Sequence, residues 1–254
     1  MTDGSSVAVI PATTNKVSFK ADIEAWTPQL APYCRHGFTP ERLIVGALQA
    51  AVNTPDLFAC QPASIFLALV KCARLGLDIG ESGMWLVPID SKGVKRCEAW
   101  IDYRAYKVLG KRSRMIRSME EFVVYAGDEF DYALGLQPYL RHKPTTDPAK
   151  RGAILGAYAI IHRPHQPPSF HYLPIADIEA RRAKSRGWSD KALAKKGEPT
   201  GPIAWWSMKA VCRDWFSRQP KTGDMALALE SDDETPPHDP ETGELLPGVE
   251  EPAA

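Results

Sequence analysis

An α+β fold is expected from this chain, with an N-terminal helical lobe, a central antiparallel sheet with packed helices, and a disordered acidic C-terminal tail. Three observations predict it. Apolar residues recur at helical spacing twice between residues 39 and 76; from residue 84 the pattern changes to short β-type runs separated by turn residues. From Thr222 onward proline, glycine and acids dominate and hydrophobic residues nearly vanish. Elements of both kinds on one chain of 254 residues, 44% of them hydrophobic, suffice for a proper core.

Residues 1–18 are small and polar without hydrophobic period and read as a disordered arm, so the ordered domain is expected over 19–221. Thr39 can cap a helix whose first turn holds Pro40, with Leu43, Ile44, Ala47, Leu48 and Ala51 on one face. A second helix follows Pro62, carries Ile65, Phe66, Leu69, Val70 and Ala73 on its apolar face, and stops at Gly76. Strands are expected at 84–89, 97–103, 115–125, 129–134, 154–161 and 169–173. Helices are expected at 103–112, 175–184 and 202–216, and residues 222–254 form the acidic tail.

The formal net charge is zero, yet it is a cancellation. Residues 71–221 hold 27 Lys and Arg against 16 Asp and Glu, while residues 223–254 hold 10 acids and no base. A polyanion suits the basic block, and the tail could screen that block in cis, engage basic partners, or serve only to solubilise the chain. Aromatic residues interleave with the bases at Trp100, Tyr103, Tyr106, Tyr125, Trp205 and Trp206, and such rings can stack on unpaired bases, which favours single-stranded nucleic acid. An ordinary solvated surface over an aromatic core would give the same composition.

No apolar run approaches the roughly 20 residues that span a bilayer, and residues 1–16 lack a basic-then-apolar leader, so a cytoplasmic protein without a membrane partner is expected. Five widely spaced cysteines without a C-x-x-C pair read as buried thiols, neither a disulfide framework nor a zinc site. There is no G-x-x-x-x-G-K-[ST] loop, no G-x-S-x-G and no H-E-x-x-H. No cofactor, metal or catalytic residue is expected. The best acidic group is Asp128, Glu129 and Asp131, the donors a metal-dependent nuclease would need, although alternation on a strand turns Asp128 away from the other two.

A dense cationic run of five in eleven residues is Lys107, Lys111, Arg112, Arg114 and Arg117, preceded by Tyr103 and Arg104. On a helix Arg104, Lys107 and Lys111 share a face and could follow a phosphate backbone, and no acid interrupts the run from Arg104 to Arg117. Arg181, Arg182 and Lys184 form a second group. Near the end, Trp205, Lys209 and Arg213 lie along one helical stripe, while Trp206, Ala210 and Phe216 face the core. Taken alone, this last pattern reads more readily as an amphipathic core helix. The alternatives of a nuclease and of a non-catalytic protein-interaction module stay open on these residues alone.

The ordered chain resembles the RecT/Redβ group of phage and prophage single-strand annealing proteins, on its RecT side, from about residue 19 to residue 220. The pieces that carry the resemblance are Pro62-Ala63-Ser64-Ile65, Ala73-Arg74-Leu75-Gly76-Leu77, Gly83-Met84-Trp85-Leu86-Val87-Pro88-Ile89, Ile101-Asp102-Tyr103-Arg104, Arg112-Ser113, Val124-Tyr125-Ala126-Gly127-Asp128-Glu129-Phe130, Ala157-Tyr158-Ala159 and Met208-Lys209. Two departures stand out: Asp102 and Ala105 replace glycines that usually flank the Tyr-Arg pair, and Arg114 replaces the glycine of an Arg-Ser-Gly turn.

This resemblance implies ATP-independent binding of single-stranded DNA and annealing of complementary strands in homologous recombination, by a homo-oligomer forming a ring or helical filament that also holds the annealed duplex. It further implies a companion exonuclease and the host single-strand binding protein as partners. The expected DNA-binding residues are Arg104, Lys107, Lys111, Arg112, Arg114, Arg117, Arg181, Arg182, Lys184, Lys209 and Arg213, with Tyr103 and Trp205 as stacking platforms.

Overall fold

The computed structural model describes residues 16–80, 82–91, 93–183 and 204–233. The chain divides after Ile101 into two compact units.

The first unit holds the expected helical lobe and also a β-hairpin. It contains α1 (Lys16–Ala25), the short α2 (Thr27–Leu30), α3 (Pro40–Asn53), α4 (Pro62–Leu75), β1 (Met84–Ser91) and β2 (Val94–Ile101). Thr39 caps α3 by accepting from the Arg42 backbone N–H at 3.4 Å, and Leu43, Ile44, Ala47 and Ala51 are buried along one stripe. Gly76 ends α4 in the left-handed conformation at φ 58°, which costs glycine nothing, and its N–H and that of Leu77 close back on Ala73 and Cys72. Ile65, Ala68, Leu69, Cys72, Ala73 and Leu75 form the buried stripe of α4. The hairpin joins this core because Ser64 Oγ accepts from the Cys97 N–H at 2.9 Å and the Gln61 N–H donates to the Lys95 carbonyl at 2.8 Å.

The second unit contains α5 (Tyr103–Arg112), β3 (Ser118–Tyr125), β4 (Glu129–Ala133), β5 (Tyr139–Lys143), β6 (Ile154–His162), β7 (Ser169–Pro174), α6 (Ile175–Arg182), α7 (Ala204–Ser217) and α8 (Gly223–Asp233). The described residues form three small antiparallel sheets: β1-β2, β3-β6-β7 and β4-β5. In β3-β6-β7, Met119, Glu121 and Val123 lie opposite Ile161, Ala159 and Ala157, with Leu173 and His171 next along the same face. Two alanines there leave room for a helix. Accordingly α7 packs on this sheet and buries Trp206, Ala210, Val211, Cys212 and Phe216, as its apolar stripe predicts. The other face carries aromatics: Phe122 stacks on Tyr158 at 5.1 Å, and Phe130 and Tyr132 of β4 lie 5.1 Å and 5.0 Å from Tyr172. Gly156 is required there, since a Cβ would fall 2.5 Å from the Tyr172 hydroxyl.

Several expectations are corrected. Residues 16–18 belong to α1, which Phe19 and Ile23 anchor in the core. The strand expected over 97–103 stops at Ile101 because the Asp102 side chain caps α5 instead. Residues 223–233, expected in the disordered tail, form α8, with Met225, Ala228 and Leu229 buried against its neighbours; α8 packs on α5. Residues 234–254 lie outside the described residues, as do residues 1–15.

Candidate nucleic-acid interface

Among the described residues, a cationic surface is built on α5 and the turn that follows it. Asp102 starts the helix: its Oδ1 accepts from the Arg104 backbone N–H at 2.7 Å. Ala105, Tyr106, Leu109 and Gly110 form the buried side, and Gly110 admits Ile116, whose Cδ1 would stand 3.1 Å from an added Cβ. The burial of this side turns Arg104, Lys107 and Lys111 outward together, as their spacing predicts. Lys111 and Arg112 also sit in the last turn, where cations complement the helix dipole. Ser113 then donates to the Gly110 carbonyl at 2.6 Å and accepts from the Met115 N–H, and Arg114 takes a left-handed conformation at φ 60°. That geometry lets the chain reverse into β3 and presents Arg114 and Arg117 to solvent.

These cations are not equivalent. Arg104 donates through Nε and NH2 to Asp102 Oδ2, at 2.9 Å and 2.5 Å, so its charge is largely matched at home. Lys107 Nζ reaches Glu121 Oε1 at 2.9 Å and lies 5.9 Å from the Tyr103 ring centre. Lys111, Arg114 and Arg117 are exposed and form no ion pair among the described residues. Spacing along the chain assigns all five the same weight; the acids that separate them lie two residues before Arg104 and on a strand fourteen residues after Lys107.

Arg181, from the second group, is gathered with His171 and Arg218 on one carboxylate. Asp214 of α7 lies 2.6 Å from His171 Nε2, accepts from Arg181 NH2 at 2.5 Å and from Arg218 Nε at 3.0 Å. The His171 hydrogen bond, with Arg181 and Arg218 behind it, holds Asp214 well below the usual carboxylate range despite its burial. Arg182 pairs with Glu179 on its own helix. Arg163 donates to Ser169 at 2.8 Å, bonds to Gln219, and lies 6.0 Å from the Trp215 ring centre. Sequence reasoning missed Asp214, Arg163 and Arg218. The i, i+4 spacing of Asp214 and Arg218 could have flagged that pair, but Arg163, Arg181 and His171 arrive from elsewhere in the chain.

Lys209 and Arg213 are half-buried on α7. Lys184 lies outside the described residues, and so does the side chain of Trp205. Two rings considered able to stack on bases are occupied in the core, for Tyr106 is fully buried and Trp206 nearly so. Tyr103 remains half-exposed beside Lys107.

The three acids considered for a metal do not converge. The Asp128 carboxylate is buried, accepts from the backbone N–H of Tyr125 and Thr145 at 2.8 Å each, and lies 3.1 Å from His142 Nε2. Burial pushes its pKa up, but these bonds together bring it below the ordinary value. Glu129 pairs with Lys143, and Asp131 accepts from the Tyr139 hydroxyl. No group of three or more His, Cys, Asp or Glu is placed to hold a metal among the described residues. All five cysteines are free thiols, and burial raises Cys60 to about 11 and Cys72 to about 12, as expected of inert core thiols. No helix among the described residues is long and apolar enough to cross a membrane.

Comparison with known proteins gives two concordant results. Protein RecT of Escherichia coli (strain K12) is 28% identical over 244 residues, covering 92% of this chain and 84% of its own length. The RecT family model matches residues 41–227, a span that runs from α3 through α5 and the cationic turn to the start of α8. With most of its length inside that match, this chain belongs to the RecT family.

Proposed function

We propose that this chain binds single-stranded DNA and anneals complementary strands without hydrolysing nucleotide, acting as a homo-oligomer in DNA recombination. Family membership supports a recombination and annealing protein. The observation that carries the finer reading is the face of α5 and its following turn, where Lys111, Arg114 and Arg117 stand in solvent beside Arg104, Lys107 and Tyr103. Annealing is downhill; phosphate repulsion and intrastrand pairing slow it. A cationic surface with an accessible ring reduces both, and reads backbone and stacking faces with no base edge, so no sequence preference is expected. Arg112, Arg181, Arg182, Lys184, Lys209, Arg213 and Trp205 complete the proposed DNA-binding set.

Assembly along the strand multiplies the weak interactions of each protomer. For the neighbour interface the first unit offers apolar side chains in solvent: Val45 at 64% and Val52 at 73% exposure lie two turns apart on α3. A companion exonuclease and a single-strand binding protein are the proposed protein partners. The reading is tested by mixing the purified protein with complementary fluorescent oligonucleotides in the absence of nucleotide. Accelerated duplex formation is expected, with intact oligonucleotides after incubation with magnesium; degradation would favour the nuclease, and no binding at low salt a protein-interaction module. Lys111→Ala with Arg117→Ala is expected to weaken binding and to reduce the salt slope by about 0.7 for each phosphate no longer neutralised. Unchanged affinity and slope would remove these residues from the interface.

A further inference from the structure

Glu121 is a carboxylate in a poor place for one. It projects from β3 on the face covered by α7, its side chain is 11% exposed, and Oε1 has Lys107 Nζ at 2.9 Å. Oε2 is buried and has no hydrogen-bond partner. The remaining surroundings give little relief. From α7 the facing titratable group is Cys212, a buried thiol; β6 sets Ala159 opposite, beyond which β7 carries His171, already bound to Asp214; Glu120, next on β3, adds a like charge. Among the described residues, the cation that compensates Glu121 is therefore a lysine at 37% exposure on the face proposed to meet phosphates.

We propose that Glu121 positions Lys107 and couples its engagement with a phosphate to uptake of one proton, so that strand binding by this part of the surface strengthens as pH falls. The inference rests on the annealing reading of α5. A lysine ammonium cannot serve a buried carboxylate and a DNA phosphate at full strength together. When Lys107 swings toward a phosphate, Glu121 is left ionised, buried and alone, which is unfavourable. Protonation of one Glu121 oxygen by solvent removes that charge and lets Lys107 go. Burial already raises the Glu121 pKa above its ordinary value, with the Lys107 bond opposing, so departure of Lys107 raises it further. Since the bound state then holds the proton more tightly than the free state, affinity falls as pH rises between the two values. Lys107 thus acts as a DNA ligand whose availability is set by a neighbour that never touches DNA.

The test is fluorescence anisotropy of a labelled oligothymidine, which has no group titrating between pH 5 and 8, with wild type, Glu121→Gln and Lys107→Gln. Circular dichroism of each variant verifies its fold. Glu121→Gln keeps the shape and removes the charge, so it is expected to bind about fivefold more tightly than wild type at pH 8, the factor one partly exposed ion pair is worth. The wild-type and Glu121→Gln curves are expected to converge toward pH 5. Lys107→Gln is expected to show no more pH dependence than Glu121→Gln while binding more weakly than it. Parallel wild-type and Glu121→Gln curves, or weaker binding by Glu121→Gln across the range, would overturn the coupling while leaving the DNA-binding reading intact. If wild type bound no oligonucleotide at any pH, the annealing reading itself would fall.

Discussion

Arg114 holds a backbone conformation, φ 60°, that an L side chain adopts only against a steric cost. The resemblance to the RecT/Redβ group places a glycine at this point of the turn, and the geometry explains that choice: the chain must reverse between α5 and β3, and only glycine does so without strain. Here the strain is tolerated together with an additional exposed cation. Replacing Arg114 by Gly relieves about 1–2 kcal/mol of strain and returns roughly half of that through the greater freedom of glycine in the unfolded chain. Arg114→Gly is therefore expected to raise unfolding stability in urea by about 0.5–1 kcal/mol while weakening oligonucleotide binding and lowering its salt slope by about 0.7. A fall in both stability and affinity would mean that Arg114 is held by interactions that outweigh its strain. Asp102 is the complementary substitution. It exchanges a glycine for a side chain that caps α5 and clasps Arg104, adding helix definition while muting the cation nearest to it. The i, i+2 spacing of that pair was in the sequence; a run scanned for acids only after Arg104 passes over it.

At the level of elements, what could be read from the sequence is what local chemistry decides. Thr39 with Pro40, and Gly76 after an apolar stripe, mark helix ends whatever the rest of the chain does, and α3 and α4 follow them. The strands β3 and β6 carry enough apolar and β-branched residues to announce themselves, and β7 does so through Phe170, Tyr172 and Leu173. β5 does not, because Tyr139-Leu140-Arg141-His142-Lys143 is mostly polar and becomes a strand only by pairing with β4 and by the hold of His142 on Asp128 and Tyr158. The ion pairs that sort the cations also depend on tertiary placement, so the cationic surface was legible as a helix face and not as a ranking of its residues. α8 is the clearest case. Its stripe of Met225, Ala228 and Leu229 has helical spacing, but an 11-residue helix amid acids has no stability of its own. Packing on α5 decides its state, and the same packing makes it a support for the cationic helix. Met225, fully buried, is the anchor. Met225→Ala is expected to cost about 2–5 kcal/mol in urea unfolding. A change of less than about 1 kcal/mol would show that α8 contributes little to the unit.

For the whole molecule the decisive quantity is the distribution of charge, since a total of zero conceals a basic block and an acidic end on one chain. Residues 234–254 carry six acids and no base, so removing them takes the net charge from zero to +6 while keeping every element among the described residues. If those carboxylates compete with phosphates for the cations of the second unit, their effect is electrostatic and must follow ionic strength. At about 0.05 M salt the screening length exceeds about 10 Å and tethered charges reach across the surface; near about 1 M it shrinks to about 3 Å and only direct interactions survive. A chain ending at residue 233 is therefore expected to bind an oligonucleotide several-fold more tightly than the full chain at low salt. The advantage should shrink steadily with added salt and vanish near about 1 M, with equal urea stability for the two chains. The salt slope of the shortened chain should be the steeper one, because a full chain that displaces its own carboxylates releases fewer counterions on binding. Coincident binding curves at every ionic strength would leave these acids with no part in DNA handling. An advantage that persisted at about 1 M would instead mean that the segment blocks the surface by direct packing on it.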